Sequence, residues 1–70
     1  MTLSFANVGE TGSVRKVLGD DTSRKRLMDM GFVEGAEVRV VCRVSGNLIV
    51  EVKGVRVAID GSLANRIIVG

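Results

Sequence analysis

Histidine, tryptophan and tyrosine are absent from this 70-residue chain, and cysteine occurs once. Without imidazole the chain lacks the commonest general base and metal ligand. A lone Cys42 with no histidine to activate it is a poor nucleophile candidate, so no catalytic constellation can be assembled. It also cannot close an internal disulfide, and nothing in the composition points to an oxidising compartment. Ferrous sites draw on imidazole or thiolate together with carboxylates, and only Cys42 and scattered acids are on offer, so no metal site and no cofactor are expected. Phe5 and Phe32 are the only aromatics, too few platforms for stacking single-stranded bases. Ten Lys and Arg against eight acids leave a net charge of +2, far from a dense basic stripe, and nucleic acid is not the expected partner. No apolar run approaches the ~20 residues that span a bilayer. Met1-Thr2-Leu3-Ser4-Phe5 has neither a basic n-region nor an apolar h-region, so the expectation is a cytoplasmic protein without a secretory leader. There is no Gly-x-x-x-x-Gly-Lys-Ser/Thr run to cradle a nucleotide, and Gly9-Glu10-Thr11-Gly12 reads as a turn.

What is present is the material of a small folded globule. At 46% hydrophobic and 26% charged, the composition excludes a disordered chain. Seventy residues suffice for one domain, 1–70, near the lower limit for a core without staples.

The pattern of the second half is β. In Glu37–Val44 the even positions Val38, Val40, Cys42 and Val44 are apolar and the odd ones mostly charged, the signature of a half-buried strand. That pattern puts Cys42 in the core. Ser45-Gly46-Asn47 is a hairpin connection, followed by Leu48–Lys53 with Leu48, Val50 and Val52 inward. Gly54 interrupts, and Val55, Val57 and Ile59 resume the inward series. Asp60–Ala64 suits a single capped helical turn, and Arg66–Val69 a last strand. The first half supplies a mixed segment, Leu3–Ala6, that reads as a strand edge or arm. An imperfectly alternating strand, Val14–Leu18, comes next, and then a helix from about Thr22 or Ser23 to Met30. Gly31 fits the left-handed stop of that helix. The predicted class is mainly β: a small, strongly bent barrel of about five short strands with one inserted helix.

The helix carries the candidate site. Leu27, Met28 and Met30 cover one arc at 100° per residue, with Lys25, Arg26 and Asp29 opposite and Arg24 at the boundary. On these limits Arg24, Lys25 and Arg26 crowd the positive end of the helix dipole, offset only by Asp20 and Asp21, which read as turn and cap residues. A local rule broken without structural gain suggests a surface that faces a partner. Arg24, Arg26, Leu27 and Met28 are therefore the expected partner-binding residues. The apolar pair would supply affinity, and the cations orientation and on-rate. Arg39, Arg43 and Arg56 occupy outward strand positions from which phosphates could be touched. Leu3, Phe5, Val41 and Ile49 stand where so small a barrel leaves apolar surface, which makes a homo-oligomer admissible.

Arg24–Phe32, the turn Val33–Val38, the hairpin Gly46–Ile59 and the ending Ala64–Val69 together resemble the FeoA family, the small ferrous iron transport protein A. The opening Leu3–Val14 is also similar, so the resemblance spans essentially the whole chain. Glu34 stands where the family usually has proline, and Ser45-Gly46-Asn47 replaces a longer family loop. The resemblance implies an SH3-like β-barrel, not an enzyme. It implies a cytosolic accessory that binds and modulates FeoB, a membrane transporter with a cytosolic GTPase domain, without itself entering the membrane. The alternative it implies is a metal-sensing or corepressor module like the C-terminal domain of iron-dependent repressors.

Overall fold

The computed structural model describes all 70 residues. Five strands, β1 (Thr11–Val17), β2 (Glu37–Val44), β3 (Asn47–Val52), β4 (Val55–Asp60) and β5 (Ile67–Val69), form one antiparallel sheet in the order β4-β3-β2-β1-β5. Helix α1 (Asp21–Asp29) is inserted between β1 and β2, and one helical turn, α2 (Gly61–Ala64), links β4 to β5. The sheet wraps around a single cluster of 15 buried residues, all apolar, to which every element contributes. This is the expected mainly-β architecture.

Local chemistry explains each boundary. Ser45-Gly46 and Lys53-Gly54 have positive φ at both central positions, the geometry that lets a two-residue loop follow the strand twist. Asp20, in extended backbone, accepts a hydrogen bond from the Ser23 amide at 2.8 Å and starts α1. Asp60 does the same for α2 through the Leu63 amide at 2.9 Å. The far end of α1 closes as a Schellman motif: the Gly31 amide donates to the Met28 carbonyl, and the Phe32 amide to that of Leu27. Gly31 takes φ +110°, a conformation side chains resist, and Leu27 and Phe32 form the fully buried apolar contact such a motif favours. The strand or arm expected at Leu3–Ala6 is a 3-10 turn over Leu3–Phe5, which plugs Leu3 and Ala6 into the core and leaves Phe5 exposed.

Two bulges alter the expected inward faces. The β2–β3 register slips between Val40 and Cys42, so that Val41 is an extra residue and parity reverses beyond it. Cys42 then pairs with Ile49 and is half-buried instead of in the core, and Val44 is exposed. Arg43 comes round to the Leu48 position and donates to the carbonyls of Ser4 and Ala6, pinning the N-terminal turn. The second slip, between Val14 and Lys16 in β1, leaves Arg15 and Lys16 both exposed between buried Val14 and Val17. Val55, at the start of an edge strand, is exposed as well.

The two capping carboxylates give the fold an acid-sensitive element. The Ser23 backbone amide, then the Ser23 hydroxyl, hold Asp20 below the usual aspartate range, and the Leu63 amide does the same for Asp60. A depressed folded-state value means that the stabilisation is complete above the ordinary aspartate value of about 3.9 and is lost as pH falls through the lower folded values. Thermal midpoints followed from neutral pH to about pH 2 should therefore fall less for an Asp20→Asn, Asp60→Asn double variant than for the parent, because asparagine still caps but does not titrate.

Candidate functional site

The helix begins at Asp21, one or two residues earlier than the sequence suggested, and this changes the electrostatic reading of its surface. With Asp20 as cap, Asp21 falls in the first turn, Arg24 is the fourth helical residue, and Arg26 lies in the last turn. An acid near the start and a cation near the end both suit the helix dipole. The dipole anomaly implied by a later helix start is therefore absent, and the candidate surface is defined by which side chains the fold brings together.

The four predicted contact residues do not share one face. Leu27 has no exposed surface and belongs to the buried core cluster, so it presents no side-chain surface for direct contact with a partner. The single arc drawn through Leu27, Met28 and Met30 splits for the same reason. Leu27 points at the barrel, Met30 is half-buried against it, and Met28 remains 46% exposed. Arg26 lies on one flank, with Ser23, Met30 and Leu63. Arg24 and Met28, four residues apart, lie on the other.

On that second flank α1 faces β1 across a shallow groove. Arg15, Lys16 and Val17 line it from the strand, Arg24 and Met28 from the helix, and Phe32, Val33 and Glu34 from the loop that follows. Three cations thus surround an apolar floor, opposed by the one carboxylate of Glu34. Arg15 and Lys16 make no ion pair, and Arg24 reaches only Asp21, at 4.0 Å and with half its side chain in water. At that distance and exposure the pair holds Arg24 weakly, leaving it free to turn to another acid. Arg15 and Lys16 were missed in the sequence, although a signal was there. The three-residue spacing Val14-x-x-Val17 cannot alternate, and a bulge that turns two successive cations outward resolves it.

Two of the remaining candidate cations are engaged within the chain: Arg39 pairs with Glu51 at 3.4 Å, and Arg43 is held by the two carbonyls of the N-terminal turn. Arg56 lies 3.9 Å from Glu51 and is mostly exposed, so that pair holds it as weakly as Asp21 holds Arg24. Asp20 is engaged as a cap, and no three Cys, Asp or Glu side chains converge. No helix is long and apolar enough to cross a membrane.

Comparison with known proteins places the chain as a whole. The FeoA domain family model matches residues 1–70. A Methanocaldococcus jannaschii protein named for Fe(2+) transport is 34% identical over 67 residues, which cover 96% of this chain and 82% of that one. Among solved structures, an iron uptake regulatory protein, FeoA, superposes with a TM-score of 0.90 at 38% identity, covering 99% of this chain and 92% of the other. The zinc-complexed FeoA of Stenotrophomonas maltophilia, described as a prokaryotic SH3 domain protein, gives 0.88 at 34% identity, over 100% and 89% of the two chains. A manganese-dependent transcriptional repressor shares the fold alone, at 23% identity and over 35% of its length. With a full-length family match and relatives above 30% identity, this chain belongs to the FeoA family of ferrous iron transport proteins.

Proposed function

We propose that this chain is a non-enzymatic, cytosolic accessory of ferrous iron uptake that docks on the GTPase region of a FeoB-type transporter through the groove between β1 and α1. The observation that supports this reading is the gathering of Arg15, Lys16 and Arg24, none strongly paired, around the half-exposed Met28. Met28 offers a flexible, polarizable contact that adapts to a partner surface, and the three cations give orientation and a faster encounter with an acidic one. The strand and the helix carry these groups on hydrogen-bonded backbone, so the face is preformed and little ordering cost accompanies docking.

Charge reversal tests the reading. Arg24→Glu should leave the thermal midpoint nearly unchanged, because the exposed pair with Asp21 contributes little and the site is too far into the helix for a large dipole effect. It should weaken capture of the transporter's cytosolic region by about tenfold, the scale of 1–2 kcal/mol for an interfacial charge. Arg26→Glu, on the opposite flank, should weaken capture far less. Equal capture by both variants would remove the groove from the docking surface.

A further inference from the structure

The two edges of the sheet are treated differently. The outer side of β5 is covered: Met1 exchanges two backbone hydrogen bonds with Val69, at 2.8 and 3.2 Å, and Thr2 bridges Ile68. The outer side of β4 is bare. Beyond its ladder with β3, no backbone hydrogen bond involves Val55–Ile59. An open row of amides and carbonyls is a template for a further strand. This one carries an exposed Val55, an exposed Ala58 and a Val57 only partly covered on its inner face.

The occupant that fits is a second β4. We propose that β4 of one protomer pairs antiparallel with β4 of another about a two-fold axis through Ala58, joining two barrels edge to edge. In an isologous antiparallel pair, opposed residues must lie on the same face, so only registers centred on a residue are allowed. Centring on Arg56 or Asp60 sets like charges opposite each other, which is destabilising. Centring on Val57 or Ile59 leaves Arg56 facing an uncharged residue. Centring on Ala58 places Arg56 opposite Asp60 of the second copy, twice by symmetry, on the outer face. The same register sets Val57 opposite Ile59 on the inner face, continuing the core across the seam. Asp60 keeps its cap, since only one of its carboxylate oxygens accepts the Leu63 amide. Arg56 is free to turn: it is 64% exposed and lies 3.9 Å from Glu51. A single six-residue strand pair is smaller than a standard interface, so the association is of the weak, reversible class.

Crosslinking tests the axis itself. In a Cys42→Ser background, Ala58→Cys sets two thiol-bearing residues opposite each other, with Cα atoms about 4.5–5.5 Å apart, inside the range a disulfide spans. Mild oxidation at high protein concentration should then yield a covalent dimer. Val55→Cys is the control, also exposed on the same strand, but its two copies would lie about 20 Å apart. Adding Arg56→Asp to Ala58→Cys should cut the yield roughly tenfold, as two opposed pairs become two like-charge contacts, and Arg56→Lys should retain it. The proposal falls if Ala58→Cys crosslinks no faster than Val55→Cys, the result expected if Arg56 and Asp60 serve only to repel edge pairing. It falls equally if Arg56→Asp leaves the yield unchanged.

Discussion

Phe32→Ala should lower stability by about 3–5 kcal/mol, the range for deleting a buried aromatic ring. A 70-residue chain at the usual 0.05–0.15 kcal/mol per residue has only about 4–10 kcal/mol in all. The variant should therefore stand at the margin of folding, with its denaturant midpoint shifted toward zero. Two losses coincide at this position. Phe32 is fully buried within the cluster, and it supplies one apolar partner of the motif that stops α1. Its removal leaves a cavity and frees the turn that aims the helix at β1. A drop of less than about 1 kcal/mol would mean that the ring is not the keystone between α1 and the barrel.

Leu27→Ala should cost about 2–5 kcal/mol for the same reason, although the sequence alone offered Leu27 as a docking residue. The two roles separate cleanly. A contact residue on the surface would lose capture and keep its melting temperature. A core residue loses melting temperature, and its folded fraction still captures the partner. With no exposed surface at Leu27, the second outcome is expected, and a midpoint lowered by roughly 4–8 °C per kcal/mol should be readable by thermal denaturation. An unchanged midpoint with lost capture would restore Leu27 to the interface.

The physical basis of these differences shows what a sequence exposes and what it hides. Strand order along the chain, both hairpins, the capped turn at Asp60 and the glycine stop at Gly31 were all legible, because each depends on a few adjacent residues. The start of α1 was not settled locally. Asp20, Asp21, Thr22 and Ser23 can all cap, and the choice of Asp20 moves Arg26 into the last turn and removes the dipole anomaly. Alternation named Cys42 and Val44 as core because one extra residue, Val41, reverses parity without leaving a gap in the pattern. The groove was only half visible. Arg24 and Met28 share a helical face and could be paired by spacing. Arg15 and Lys16 come beside them only because the fold sets β1 and α1 on the two sides of one groove, and no local periodicity records that non-local arrangement.

The proposed docking surface of this FeoA-family chain for the cytosolic region of a FeoB-type transporter is the β1–α1 groove. The direct measurement is a titration of the isotope-labelled chain with that region, followed by amide and methionine-methyl resonances. Perturbations concentrated at Arg15, Lys16, Arg24, Met28 and Val33, with Arg26 and Leu63 quiet, are the predicted result. Perturbations centred on the Arg26, Met30 and Leu63 flank, or on the bare edge of β4, with the groove silent, would contradict it.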